Sequence, residues 1–502
     1  MSEREETSYA AAPSAPKPPP PSQQDGIGAR HVALGIAAAL CCFLWAYGIE
    51  TQEFICSFGA SDRETPELGL IILGLGRTGR KLLGELLDTT MTGKTNLIEP
   101  VPGGPRFRIL CLGDSSATLC STKPYVEPVT VDVAGLDARQ LASVLHHKQD
   151  EKLPIRNYHF LHGKQALFRD ALAAVESMPH HLPGGGHIVV VDLSGSELTG
   201  PALVAARRAG FGSVIANKHV LAGSQALYNG VSGPHMWNEA TVGGAVPVVT
   251  SLRRLLMTGD RLHRIEGVLS GTIEFVLGAM QRPLVEDPAF EGDAASAAEP
   301  PLRRLRFSEA VREAVRRGYT EPDPREDLSG MDVARKALII ARMQGWDVEL
   351  EDVDFEPLGG WGGSSPATPA EEWLAGLEAE DERWAQRIAA AEAKGHVLRY
   401  VMTLERTTRP HEPGQMWHNR PDETGHATVS IREVHPTSTI GRLHGTDNVV
   451  TIESDLFKSG QELVLRGPGA GVARTVAAVK ADLYLCAMEM PRHKVIGANH
   501  LF

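Results

Sequence analysis

Leu68-Gly-Leu-Ile-Ile-Leu-Gly-Leu-Gly-Arg-Thr-Gly-Arg-Lys-Leu-Leu-Gly-Glu-Leu-Leu87 reads as a strand, a tight turn and a helix in succession. The apolar run at its start has the length and composition of a buried strand. Gly74, Gly76 and Gly79 then form a G-x-G-x-x-G around Arg77 and Thr78. The first glycine permits the turn, the second lets backbone approach a pyrophosphate, and the third lets helix pack on strand. Leu82, Leu83, Leu86 and Leu87 supply the buried stripe of the helix. A glycine motif alone is weak evidence. Its place between an apolar strand and an amphipathic helix predicts a Rossmann-type dinucleotide-binding domain, with residues 74–79 at the cofactor.

Outward from this unit, a loop with Gly93, Pro100, Pro102, Gly103 and Gly104 leads to a second strand, Phe107–Leu112, and to Asp114. Asp114 reads either as a partner of the adenosine ribose or as a turn-former beside Gly113, so the choice between NAD and NADP stays open. His187–Asp192 is a third buried strand, with Leu193-Ser194-Gly195-Ser196 at its carboxyl end, where open α/β sheets bind ligands. A helical stretch, Ala202–Ala209, leads on to Ser213-Val-Ile-Ala-Asn217-Lys218.

The chain has 502 residues, enough for two or three domains. Its net charge of −12 argues against nucleic-acid binding, which needs a basic face. Cys41, Cys42, Cys56, Cys111, Cys120 and Cys486 follow no CxxC or metal-ligand spacing, so reduced thiols are expected and a disulfide framework is not. Residues 1–30, with Pro18–Pro21, have a disordered composition. Val32–Ile49 follows as eighteen residues without a charge, at the lower limit for a membrane span. Membrane anchor, targeting segment and apolar helix packed on the domain are the three readings of 32–49. The boundary near residue 67 implies that 1–66 governs location rather than chemistry.

A second distinctive stretch is Gly318-Tyr-Thr-Glu-Pro-Asp-Pro-Arg-Glu-Asp-Leu-Ser-Gly-Met-Asp-Val-Ala-Arg-Lys336. Its prolines exclude a helix through 321–324. Ser329 with Asp332 then resembles a capping box, and Met331, Ala334, Leu338 and Ile339 have helical spacing. Asp332 and Lys336 are four apart and meet on one helix face. A solvated ion pair would explain that spacing. A turn aiming Glu321 and Asp327 at the same helix start points instead to a carboxylate cluster that tunes a lysine for proton transfer.

This stretch is similar to the substrate-site signature of homoserine dehydrogenases, and the resemblance extends over roughly residues 67–485. The Asp192-Leu-Ser194 and Ala-Asn217-Lys218 segments resemble the same family, which implies Lys218 near the nicotinamide and the reacting carbon and Ser194 at the cofactor. Glu239-Ala-Thr-Val-Gly-Gly-Ala-Val-Pro247 resembles a family loop that binds a monovalent cation, sodium or potassium. That would fall to Glu239, Val242, Gly244 and Val246, although Gly244-Ala245 reverses the family's usual order; a glycine turn opening a helix at Val248–Leu256 is equally compatible. Ser270-Gly271-Thr272, after a strand at Leu262–Leu269, resembles the substrate-facing segment. Arg466–Thr475 resembles the return to the nucleotide domain, with Gly471 at the cofactor.

The resemblance implies a Rossmann domain over 67–235 and an α+β catalytic and dimerisation domain with an open mixed sheet over 236–460. A C-terminal segment, 461–502, would return to the first domain. Insertions fall near 281–304 and 356–370, a charged helix spans Glu371–Ala393, and the dimer sheet draws on strands between 396 and 452. The implied activity interconverts L-homoserine and L-aspartate 4-semialdehyde with NAD or NADP, in cytosol or plastid. Lys336 and Lys218 would move the proton and Asp332 would orient the lysine. Glu321 would pair with the substrate ammonium, and Tyr319, Asp327, Gly271 and Thr272 would line the site. No aspartate kinase or regulatory domain is expected. Another two-domain amino-acid dehydrogenase and an inactive membrane-tethered relative are the alternatives.

Overall fold

The computed structural model describes residues 66–490, apart from 89–97, 99–103, 123–130, 159–164, 183–184, 284–302, 322, 360–367, 408–424 and 470. The apolar run 32–49, most of the insertion at 281–304 and half of that at 356–370 lie outside the described residues.

The glycine stretch forms β1 (Glu67–Leu73) and α1 (Arg77–Asp88). Residues Leu68–Leu73 are all buried, as a central parallel strand covered on both faces requires. Beside it lie β2 (Arg106–Gly113), β3 (Thr118–Ser121), β4 (Gln165–Phe168), β5 (His187–Asp192), β6 (Gly212–Ile215) and β7 (Met236–Trp237). They make a seven-stranded sheet in the order β4-β3-β2-β1-β5-β6-β7. The strands from β2 to β7 run parallel, while β3 and β4 are antiparallel additions at one edge. Helices α2 (Ala138–Gln149), α3 (Ala171–Glu176), α4 (Gly200–Arg208), α5 (Lys218–Leu221) and α6 (Gln225–Val231) complete this half.

The second half opens with α7 (Val248–Met257), β8 (Leu262–Val268), α8 (Gly271–Gln281) and α9 (Phe307–Arg316). It continues with α10 (Pro324–Leu328), α11 (Met331–Met343), β9 (Val353–Phe355), α12 (Ala370–Gly376) and α13 (Asp381–Ala393), then β10 (Val397–Arg406), β11 (Gly425–Val434), β12 (Asp447–Ser454) and β13 (Leu463–Pro468). Its six strands order as β13-β12-β8-β10-β11-β9, antiparallel except where β9 meets β11. This is the open mixed sheet expected. Helix α14 (Val472–Glu489) then returns to the first half, where Val476, Val479 and Leu483 join the core cluster that contains Leu82 and Leu86 of α1.

Four expectations need correction. The return begins only at residue 472, not 461, because β13 still pairs with β12. The charged helix is not continuous over 371–393: α12 ends at Gly376 and a 3-10 turn, Leu377–Glu380, precedes α13. Cys111 and Cys120 are joined by a disulfide, against the expectation of reduced thiols. The antiparallel register of β2 and β3 sets them directly opposite each other, with a Cα–Cα distance of 4.1 Å, a proximity that linear spacing does not reveal.

The stretch 318–336 also differs from expectation. A short helix, α10, begins at Pro324, because proline at the first helical position sacrifices no hydrogen bond and Asp323 caps it through the Arg325 N–H. Ser329 forms no capping box with Asp332. Its Oγ donates to the Glu326 carbonyl and accepts from the Met331 N–H, and Gly330, at φ +80°, caps α11. A Cβ at Gly330 would lie 1.9 Å from Tyr400 Oη, which itself donates to the Glu356 carbonyl at 2.6 Å. The left-handed conformation alone costs an ordinary residue about 1–2 kcal/mol. Gly330→Ala is therefore expected to lower unfolding free energy by at least about 2 kcal/mol in urea titrations. Adding Tyr400→Phe, which removes the obstructing oxygen, should recover part of the loss.

Candidate active site

The first half carries a cleft, and the two halves meet at a lysine–carboxylate cluster. The cleft has a volume of about 810 Å³ and lies at the carboxyl ends of β1, β2 and β5. Gly74, Gly76, Asp114 and Ser194 line it. Gly74, at φ +91°, passes so close to the Leu193–Ser194 backbone that a Cβ there would sit 2.5 Å from the Ser194 nitrogen. A Cβ at Gly79 would lie 2.0 Å from the Gly74 carbonyl oxygen, whereas one at Gly76 would meet nothing within 4 Å. Only the middle glycine faces open space, as a turn that must admit a pyrophosphate requires. The glycine turn thus fits a dinucleotide. Arg77, Thr78, Gly79, Lys218 and Gly471 do not line the cleft.

The loop after β5 is organised by Asp192, which is fully buried. Its carboxylate accepts from the Ser194 N–H at 3.0 Å, from Thr199 Oγ1 at 2.6 Å and from Asn217 Nδ2 at 3.0 Å. Asn217 Nδ2 also donates to Ser194 Oγ and to the Ser196 carbonyl, while its Oδ1 accepts from the His219 N–H. Asn217 thereby welds the cleft loop to the first turn of α5, the turn that carries Lys218.

From there Lys218 reaches across to the second half, where its Nζ lies 3.2 Å from Asp332 Oδ1. Lys336, one turn along α11, places its Nζ 2.7 Å from Asp332 Oδ2 and donates to the Leu269 carbonyl at 2.6 Å. Asp332 therefore shares its two oxygens between two lysines. Burial opposes its ionisation, but Lys218 and Lys336 hold it well below the usual carboxylate range. Burial pushes the Lys336 ammonium below the ordinary lysine range; Asp332 opposes that shift and Lys218 reinforces it.

The turn before α10 closes one side. Thr272 Oγ1 donates to the Tyr319 carbonyl at 2.6 Å, and the Tyr319 ring packs edge-on against Phe275 with centroids 4.8 Å apart. Gly271 opens α8 behind the Ser270 cap and lies against Thr446. Asp327 accepts from the Glu321 N–H at 2.9 Å. Burial raises its pKa to about 6; the Glu321 amide opposes this, and the charges of Glu321, Asp332 and Glu326 add to it. Glu321 itself is exposed and binds Arg77 of the glycine turn at 2.9 Å. Linear reading missed that pair, and also the Leu269 carbonyl as a partner of Lys336; neither leaves a local signal, because each joins residues far apart in the chain.

Two expected roles do not match the geometry. Asp114 has no carboxylate oxygen left over for a ribose. One oxygen accepts from Lys148 Nζ at 2.7 Å and the Ile155 N–H at 2.9 Å, the other from the Ser116 N–H and hydroxyl. In the Glu239 loop the carboxylate and the Val246 carbonyl are likewise already engaged. Its carboxylate caps α7 through the N–H groups of Val249 and Thr250 and the Thr250 hydroxyl, and the Val246 carbonyl is taken by the Val248 N–H. Gly244 is pressed on the Gly469 carbonyl, where a Cβ would sit at 2.2 Å. Among the described residues, no group of three or more His, Cys, Asp or Glu side chains is arranged to hold a metal ion.

A dinucleotide fold joined to a mixed-sheet domain, with an acid held between two lysines at the junction, defines a two-domain protein of the dinucleotide-dependent dehydrogenase type. A family model described as homoserine dehydrogenase matches residues 247–484. A homoserine dehydrogenase of Paracoccidioides brasiliensis is 32% identical over 311 residues, covering 59% of this chain and 74% of that protein. The chain belongs to the homoserine dehydrogenase family. The chloroplastic bifunctional aspartokinase/homoserine dehydrogenase 1 of Zea mays is 30% identical over 421 residues, 83% of this chain but 38% of that protein. For the second maize enzyme of this type the share is 23%, so the chain spans well under half the length of these bifunctional relatives. Among solved structures, a Candida auris protein described as of unknown function aligns with a TM-score of 0.61 at 23% identity, covering 85% of this chain and 99% of that one. A hyperthermophilic archaeal homoserine dehydrogenase in complex with NADPH aligns with a TM-score of 0.53 at 18% identity, with the same coverage. These two likenesses concern the fold.

Lys148 and Ser116 outweigh burial at Asp114 and hold its pKa at about 2, against an ordinary 3.8. A depressed carboxylate pKa adds stability above the unfolded value, lost as pH falls through the folded one. The difference corresponds to about 2 kcal/mol. Between about pH 4 and pH 2 the protein is therefore expected to lose stability that Asp114→Asn lacks at every pH, as denaturant titrations across that range would show.

Proposed function

We propose that the protein is a homoserine dehydrogenase that interconverts L-homoserine and L-aspartate 4-semialdehyde, at the branch toward threonine, methionine and isoleucine. The observation that carries this reading is Asp332 held between Lys218 and Lys336, at the junction with the dinucleotide-binding half. The nicotinamide cofactor, when bound, supplies the hydride acceptor. The protein's own residues must then position the alcohol and take its proton. A neutral lysine is a competent base, and the burial that lowers the Lys336 pKa makes that form accessible. Asp332 orients the amine, and Lys218 keeps Asp332 ionised while Lys336 is neutral. Glu321, with Asp327 behind it, serves the substrate ammonium; Tyr319, Gly271 and Thr272 frame the remaining wall.

NADP is the proposed cofactor rather than NAD. Arg80, Lys148, Lys152 and Arg169 line the same cleft as Asp114, and basic groups there suit a phosphorylated ribose better than a free hydroxyl. A plastid or cytosolic location accords with the chloroplastic maize relative. Among the described residues, no helix is long and apolar enough to cross a membrane.

Lys336→Ala is expected to lower turnover of homoserine about 10²–10⁴-fold while leaving cofactor affinity nearly intact, followed as absorbance of the reduced nicotinamide. Because the base must be neutral, wild-type oxidation should rise with pH and level off below the ordinary lysine value of 10.5. Retention of more than a tenth of the turnover by the variant would remove Lys336 from this role.

The proposed assembly is a two-fold dimer through the second sheet, the commonest closed arrangement. The face away from the core carries Arg264, Glu266, Glu405 and Arg432, which pair with one another across β8, β10 and β11. Light scattering at micromolar concentration is expected to return twice the chain mass; a monomer would exclude the dimer.

A further inference from the structure

We propose that Arg77 is a positioning residue that couples the dinucleotide site to the substrate site by holding the Glu321 carboxylate. The identity of the substrate ammonium here rests on the homoserine reading above; the coupling to the dinucleotide does not.

Arg77 directly follows the open middle glycine of the turn and is the first residue of α1. Its Nη2 donates to both oxygens of Glu321, at 3.0 and 2.9 Å, across 244 positions of sequence. The turn that carries Glu321 is anchored from beneath. Thr272 holds the Tyr319 carbonyl, Asp327 holds the Glu321 N–H, and Asp323 caps α10 just beyond. Its outward side chain, Glu321, therefore reaches over to the glycine turn of the other half.

Each partner has a second claimant of opposite charge. Arg77 stands outside the cleft lining but directly after Gly76, so a pyrophosphate held at the N-terminus of α1 brings anionic charge next to it, since helix N-termini and their N–H groups favour anions at that place. A substrate ammonium competes with Arg77 for Glu321. With both sites empty, the two protein groups satisfy each other. A bound dinucleotide draws Arg77 away and releases the carboxylate, so substrate binding follows at lower cost. Linkage makes the effect reciprocal: an occupied or neutralised Glu321 favours the dinucleotide by the same factor. Both side chains are more than half exposed, at 68% and 57%. An exposed pair of this kind can carry a coupling of only about two- to fivefold. That is enough to bias the order of binding and too small to lock either site.

The test is NADPH titration of the full chain, read by nicotinamide fluorescence, so it does not depend on turnover. Glu321→Gln is expected to bind NADPH about two- to fivefold more tightly than wild type. In an Arg77→Gln background the same change should have no effect, while Arg77→Lys should retain part of it. A merely structural pair would give the opposite sign, because breaking it would loosen the turn and weaken binding. Unchanged or weaker NADPH affinity in Glu321→Gln, or the same gain with Arg77 absent, would overturn the proposal. Homoserine turnover by wild-type protein is measured separately. Its absence would refute the substrate assignment and leave the NADPH titration to judge the coupling.

Discussion

The carboxylate of Asp332 is the point on which the site depends. One oxygen faces a lysine from the nucleotide-binding half and the other a lysine from its own helix. Without it the two ammonium groups, both drawn to the same carboxylate, would repel each other. The cluster carries one more positive charge than negative when both lysines are protonated. Loss of one proton brings it to neutrality, and burial favours that state. Electrostatics alone thus give Lys336 a reason to release a proton in this place, whereas an exposed lysine has none.

That arrangement holds only because the two halves are fixed against each other by groups that do no chemistry. Arg342, on the same helix as Asp332 and Lys336, is buried and donates to the carbonyls of Leu221 and Gly223 at the end of the turn that carries Lys218. Asn217 fixes the start of that turn to the cleft loop through Ser194 and Asp192. Lys218 is therefore clamped at both ends of a one-turn helix. Backbone carbonyls exposed at the ends of such short helices need partners, and here the partners are the side chains that align the site.

Two groups expected to hold ligands are taken up by the fold instead. The Glu239 loop, which in resemblance suggests a cation, spends its carboxylate on the N-terminus of α7. A helix N-terminus and a metal ion make the same demand on a carboxylate, a nearby positive field, and the covalently tethered helix is always present. Asp114, in the place of a ribose ligand, is absorbed by Lys148 and the Ile155 amide, a connection that ties the end of β2 to the last turn of α2 and the segment after it.

The sequence by itself determined the elements whose signals are local. The strand–glycine–helix unit, the strands at 107–112, 187–192 and 262–269 and the i, i+4 meeting of Asp332 with Lys336 all follow from spacing, because side-chain direction in helices and strands is periodic. The glycines announce the turn because only they tolerate its conformation or its close approach. Tertiary structure alone decided which distant groups share a partner. Lys218 reaching Asp332, Arg77 reaching Glu321, Cys111 facing Cys120 and Asp114 bound to Lys148 each depend on strand order or domain packing. A side chain's periodicity tells which face it occupies. What it meets there is set by the element packed against that face, and linear spacing carries no record of it.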